Sequence, residues 1–244
     1  MLLILEEIAR LGVPTTPTEI NRSLDLPKPT LHRLFTSLED EGFLQREHDG
    51  RSYSPGPRMR LMATGIISST RIRSARLAVM NRLAKQIGET CNLAIADRSE
   101  MIYLDRVETE WPLRIQLPIG TRVPFHCTAS GKLYLSTFSD ARLDRMLANL
   151  PLEQKTERTL TDKAALLANI EQIRERGHSE DNEEFIEGMI ALAVPINDAH
   201  GRMVSTLAFH APTPRMPIDL AYSHLDSLKD AASELSRLLT EDPR

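Results

Sequence analysis

Three groups of residues have types and spacings that could do chemistry. His126 and Cys127 are adjacent and bring a base beside a thiol, the ingredients of an activated nucleophile. Neighbours on an extended segment point to opposite faces, so this pair does not make the contact that catalysis needs. Five of the seven histidines (His126, His178, His200, His210 and His224) lie in the C-terminal part, with no HxxxH or HExxH spacing among them. Cys91 and Cys127 are the only cysteines and form no CxxC. Enzyme activity, a metal site and a cofactor are therefore not expected, and the cysteine usage fits a reducing cytoplasm. The second group is Lys28, Pro29, Thr30, His32, Arg33 and Thr36, a polar cluster whose donors suit base edges and phosphates. The third is "FHCTASGKLYL", where an extended run enters a helix. The N–H groups near Ala129, Ser130 and Gly131 lack helical acceptors there and favour an anion.

The polar cluster needs a helix to present it. Leu31, Leu34, Phe35 and Leu38 fall at i, i+3, i+4 and i+7, so one stripe is buried and Pro29, Arg33 and Thr36 face away, flanked by His32 and Ser37. Pro29 suits the first turn and Gly42 the stop. Upstream, Leu2, Leu3, Leu5, Ile8, Ala9 and Leu11 form an amphipathic helix ending at Gly12, which begins abruptly, as though residues preceded Met1. Thr16-Pro17-Thr18-Glu19 then spells a capping box, and "DLP" separates that helix from the next. Two short helices around a brief turn are a helix-turn-helix. "FLQREHDGRSYSP" alternates around Asp49-Gly50, a type I′ dipeptide, and predicts a hairpin carrying Arg46 and Arg51. Helices followed by a hairpin make a winged helix, whose recognition helix enters the major groove while the wing arginines reach phosphates.

At 244 residues two domains are expected. Composition is that of a globular protein, 41% hydrophobic and 26% charged, without an apolar run that could span a membrane. "MLLILEEIARLG" lacks the basic start of a signal peptide. The net charge is −4, yet the segment from Arg51 to Arg82 holds seven arginines and no acid, a basic stripe suited to a polyanion or to partners elsewhere in the chain. Pro55-Gly56-Pro57 opens a linker, followed by one or two helices that end at Gly88. Beyond it "TCNLAIA" and "MIYLDRVE" flank the turn Asp97-Arg98-Ser99-Glu100, "PLRIQL" reads as a third strand, and "MIALAVPIN" and "RMVSTLAFH" flank another turn. Helices are expected from about Ala129, from Ser139 to Leu150, from a Thr161 cap to Gly177, and from Pro217 to Leu239. The fold class is α+β, divided into residues 1–56 (winged helix-turn-helix), 57–74 (linker helix) and 75–244.

The segments "LDLPKPTLHRLFTSLEDEGFL", "YSPGPRM", "GETCNLAI", "PLRIQLPIGTRVPFHCTASGKLYLS", "TLTD" and "RERGHSEDNEEFIEGMIALAVPINDAHGRMVSTLAFHAP" stand in the order seen in one family. Over nearly its whole length the chain resembles the IclR family of bacterial transcriptional regulators. The resemblance implies a winged helix-turn-helix joined to a GAF-like α/β effector-binding domain, working as a homodimer or homotetramer on operator DNA. Repression of a catabolic operon is the family's commoner habit, with activation as the alternative. It also implies that Thr128, Ala129, Ser130 and Gly131 hold an effector carboxylate, with further contacts from Asp181, Met189, Ala191, Ala208 and His210. Where relatives often carry thiols or hydroxyls at the last three, this chain has two alanines and a histidine. Thr206, Ala208 and His210 share one strand face, which leaves room for a longer or aromatic acid and adds a titratable donor, unless His210 is a structural partner of Asp181.

Overall fold

The computed structural model describes residues 1–67, 70–112, 114 and 116–240. Helices α1 (Leu2–Leu11), α2 (Pro17–Leu24) and α3 (Lys28–Asp40) lead to strands β1 (Leu44–Arg46) and β2 (Tyr53–Pro55) and helix α4 (Pro57–Ile67). Helix α5 (Thr70–Ile87) precedes β3 (Thr90–Asp97), β4 (Glu100–Val107), β5 (Arg122–Pro124), α6 (Ala129–Ser136), α7 (Asp140–Asn149) and α8 (Lys163–Arg176). Strands β6 (Ser179–Asn182), β7 (Met189–Asn197) and β8 (Met203–Pro212) and helices α9 (Ile218–Tyr222) and α10 (Leu225–Thr240) follow. Two compact units result, one up to Thr70 and one from Arg71.

The first unit is a winged helix. Leu31, Phe35 and Leu38 of α3 are buried with Ile4, Ile8, Ile20, Leu44 and Tyr53 in one apolar cluster. Each such side chain contributes about 1.5 to 3 kcal/mol. The capping box is present: Glu19 N–H donates to the Thr16 hydroxyl at 3.3 Å, and Thr16 N–H to the Glu19 carboxylate at 2.8 Å. The wing differs from the two-residue turn expected at Asp49-Gly50. Arg46 pairs with Tyr53, so six residues close the hairpin, with Asp49 accepting from the N–H groups of Arg51 and Ser52, both at 2.8 Å.

The second unit is a six-stranded antiparallel sheet in the order β5-β4-β3-β8-β7-β6. Register sorts its residues into two faces. One carries Asp181, Ala191, Ala193, Ala208, His210, Thr90, Asn92 and Arg106, and α6 lies on it through Ala129 and Leu133. The other carries Leu93, Asp105, Leu192 and Phe209, and there the side chain of His224, just ahead of α10, meets the Phe209 ring edge-on. The turns around Arg98 and Asp198 form as expected. The "PLRIQL" strand does not: Leu113 and Ile115 lie outside the described residues, their described neighbours are in no strand, and β5 is the three-residue Arg122–Pro124. The α8 cap is Asp162 rather than Thr161, its carboxylate accepting from Ala165 N–H at 2.8 Å. The final helix is broken into α9 and α10.

Candidate functional site

Helix α3 is aimed by the turn before it. The Asn21 amide clamps Leu26 twice, donating to its carbonyl and accepting from its N–H, each at 2.9 Å. Asp25 takes a left-handed conformation, φ 47°, to make the corner. Asn21 was not among the expected site residues; its signal, an amide near a helix C-terminus, is common. Lys28, Pro29, His32, Arg33 and Thr36 are exposed on the outer face of α3, and Thr30 is half-buried. Among the described residues no side chain caps α3, so the N–H groups of Lys28 and Thr30 at its start are open to an anion. Among the described residues Lys28 and Arg33 have no ion pair, whereas the Thr36 hydroxyl donates to the His32 carbonyl at 3.1 Å.

The wing residues divide. Arg51 projects at the exposed tip. Arg46 instead braces the wing against α3, 2.7 Å from the Glu39 carboxylate and 4.9 Å above the Tyr53 ring. The basic stripe is largely consumed inside the protein: Arg58 faces Glu41 at 3.6 Å, Arg73 and Arg76 face Asp105, and Arg82 faces Glu234 at 2.6 Å. Of these only Arg76 is buried, Arg58 and Arg82 keeping more than half of their side chains exposed, and the Arg71 side chain lies outside the described residues.

In the second unit the start of α6 sits over the sheet face. Thr128 caps it, accepting from Gly131 N–H at 3.1 Å while donating to the Pro124 carbonyl at 2.7 Å. Among the described residues the N–H groups of Ala129 and Ser130 have no acceptor. Ala129 packs with Ala191 and Ala208, so the helix start lies close to two of the other expected contacts. Asp181, Ala191 and His210 stand side by side on β6, β7 and β8, and half-buried Met189 lies at the start of β7. Thr206 and Ala208 share the His210 face, as alternation requires.

His210 is not a partner of Asp181. A strand stands between them, a separation of about 9 to 10 Å, and the Asp181 carboxylate accepts instead from Glu184 N–H at 2.8 Å and Phe185 N–H at 3.2 Å. Burial and then the Glu184 charge push the Asp181 carboxyl up to about 7. Burial, then Arg106, pushes His210 down to about 3, so the imidazole is neutral at physiological pH rather than titrating there. Among the described residues its Nε2 has no hydrogen-bond partner. Beside Asp181, fully buried Lys132 forms an ion pair with Glu184, and burial raises Cys127 to about 12, which keeps it an unreactive thiol. Lys132, Glu184, Asn92 and Arg106 were missed from sequence. Only a polar residue inside an apolar strand, as in "TCNLAIA", could have pointed to Asn92.

A winged helix in one unit and a helix-covered sheet in the other define a two-domain DNA-binding transcription regulator, not an enzyme. The chain belongs to the IclR family: residues 1–48 match the IclR helix-turn-helix domain and residues 64–237 the bacterial transcriptional regulator IclR C-terminal region. It is 37% identical over 238 residues to the "probable transcriptional regulator SauR" of Cupriavidus necator, covering 98% of this chain and 94% of that one. The crystal structure of the Thermotoga maritima IclR superposes with a TM-score of 0.66 at 28% identity, over 98% of this chain and 96% of that one. The inducer-binding domain of PobR from Acinetobacter, a double mutant in complex with 3-hydroxybenzoic acid, covers 65% of this chain and 94% of its own at 27% identity and a TM-score of 0.60.

Proposed function

We propose that this chain is an effector-controlled repressor of a catabolic operon that senses a small organic acid. The observation that carries the reading is the start of α6. Open N–H donors at Ala129 and Ser130 belong to a helix start packed on sheet alanines, on strands that also carry His210 and neighbour Asp181, an arrangement suited to a carboxylate on an aliphatic or aromatic body. An inducer-binding domain of the same fold in complex with an aromatic acid supports it. Thermal-shift screening of the full chain against metabolite acids tests it. Stabilisation by an acid that is lost in Ser130→Pro and His210→Ala is expected, and equal stabilisation of those variants rejects the site.

The DNA half of the proposal is a dimer, or a pair of dimers, on a palindromic operator in the cytoplasm, with half-sites about 34 Å or a multiple apart. Exposed Leu61, Met62 and Ile66 on α4 support pairing with a second copy, since a lone α4 leaves them in water. Among the described residues no helix is long and apolar enough to cross a membrane. Lys28, Pro29, Thr30, His32, Arg33 and Thr36 take the groove, Arg51 a phosphate, and Arg46 a phosphate only by sharing its Glu39 contact. Arg33→Ala should weaken operator binding by about 1 to 3 kcal/mol and relax one base position. Footprints with unchanged base discrimination would reject that assignment. Ligand binding acts by changing the spacing of two DNA-binding domains through the helix bearing Arg71 to Arg82, which requires different affinities for the two arrangements. An effector that leaves operator affinity unchanged at saturation sinks this, and transcription with and without effector separates repression from activation.

Asp181 gives the site a pH dependence. Its folded-state pKa lies above its ordinary 3.8, so the native protein holds a proton that the unfolded chain releases, and stability falls as pH rises through roughly 4 to 7. Above pH 7 the carboxylate is charged and repels an acid effector. The Kd for a carboxylate should therefore rise by up to about tenfold per pH unit above 7, and Asp181→Asn should flatten the profile. Calorimetry at pH 6, 7 and 8.5 reads both; a wild-type profile as flat as that of the variant removes Asp181 from the site.

A further inference from the structure

Asn92 is almost fully buried on β3, on the sheet face that α6 covers, opposite Ala208 on one side and Arg106 on the other. Its Oδ1 accepts from Arg106 Nη1 at 2.9 Å. Because a guanidinium only donates, that contact fixes which end of the amide is oxygen, and the NH2 group must point elsewhere. Among the described residues Nδ2 is buried without a partner, and so is Nε2 of His210, which stands diagonal to Asn92 across the β3–β8 ladder. Two orphaned polar atoms on neighbouring positions of one buried face are costly unless something occupies them. Arg106 in turn is held by Glu108 at 3.1 Å, so the amide is set by a fixed frame rather than by a mobile side chain.

We propose that Asn92, oriented by Arg106, is a second recognition point of the effector site, which makes the effector a bifunctional acid. One carboxylate docks at the start of α6. A second oxygen acceptor, carboxylate, sulfonate or carbonyl, takes the N–H of Asn92 Nδ2 and, with His210 in its Nε2–H tautomer, the N–H of that ring. The polarity follows from the donors: the amide offers only N–H here, and the neighbouring guanidinium favours partial negative charge and opposes a cationic group. A plain fatty or aromatic monoacid leaves both groups unpaired, and a buried site built for a hydrogen bond discriminates strongly against a ligand lacking it. The inference rests on the reading of α6 and its facing sheet as an acid site.

Matched pairs of acids test it on the full chain: succinate with butyrate, adipate with hexanoate, and terephthalate with benzoate, compared by calorimetry in wild type, Asn92→Asp and Asn92→Leu. Asn92→Asp keeps the oxygen that Arg106 needs, so the fold survives even if the leucine variant misfolds. In at least one pair the diacid should bind wild type at least tenfold more tightly than the monoacid. Asn92→Asp should erase that preference while leaving monoacid affinity within about threefold. Equal binding of both members of every pair, or a diacid preference that survives in Asn92→Asp, overturns this inference and leaves the acid site standing. No binding by any acid overturns both readings.

Discussion

Asp105→Asn should destabilise the second unit by about 3 to 5 kcal/mol, a loss far beyond that of a surface ion pair. Asp105 and Arg76 are both almost entirely buried, and the carboxylate is shared: Arg73 Nε donates to Oδ1 at 2.9 Å, while Arg76 Nε and Nη2 donate to Oδ2 at 2.9 and 2.5 Å. An amide of the same shape keeps the packing and leaves the Arg76 charge without its carboxylate in a low-dielectric interior. Arg73 is 43% exposed, so Arg73→Ala should cost less than about 1 kcal/mol. If burial of charge is the cause, Asp105→Leu combined with Arg76→Met should recover most of the loss, because apolar side chains need no partner. Urea unfolding of the full chain measures all of these, and an Asp105→Asn midpoint close to wild type refutes the argument. A functional consequence follows from the strand. Arg106 lies on the face toward α6 and Asp105 on the face toward α5, so one residue step on β4 joins the Asn92 contact to the helix that begins the second unit. The surviving fraction of Asp105→Asn should bind effector and transmit it poorly to operator affinity.

What could be read in the sequence was local. The Thr16–Glu19 capping box, the Gly177 stop and the alternation of "MIALAVPIN" and "RMVSTLAFH" each lie within a few residues, where spacing alone fixes geometry. The outer face of α3 was legible for the same reason, because a buried stripe at i, i+3 and i+4 determines what remains outside. Errors arose where two local solutions compete or where none is strong. Thr161 and Asp162 both cap well, and the register chose the second. A three-residue strand such as β5 has no periodicity to detect, whereas "PLRIQL" alternates without pairing in its described part. The destinations of the arginines were illegible because their partners are distant in sequence: Arg76 meets Asp105, and Arg82 meets Glu234. Asn92 and Arg106 belong to the same class, brought together only by the ladder.

Gly131→Ala should both loosen the second unit, by about 3 kcal/mol, and abolish the response to effector. A methyl at this position would lie 2.4 Å from Cα, 2.5 Å from the carbonyl oxygen and 2.7 Å from the carbonyl carbon of Phe125. All three are backbone atoms, so no rotamer change relieves the clash, and the first turn of α6 must lift from the segment beneath it. Overpacking of this kind costs about 1 to 3 kcal/mol, sometimes more. Lifting also strains the Thr128 cap, whose hydroxyl bridges Gly131 N–H and the Pro124 carbonyl, a cap worth about 1 kcal/mol. Moving that turn displaces the N–H groups of Ala129 and Ser130 on which the proposed acid site depends. Ser130→Pro separates the two effects. Proline is tolerated in a first helical turn and removes one N–H, so it should lose the ligand while keeping more of the stability. Operator binding, carried by the other unit, should persist in both variants at temperatures where they remain folded. Melting curves with and without a stabilising acid, set beside operator titrations of the same samples, read every part of this. A Gly131→Ala protein that melts within a few degrees of wild type and still responds to the acid would show that α6 does not need this close approach.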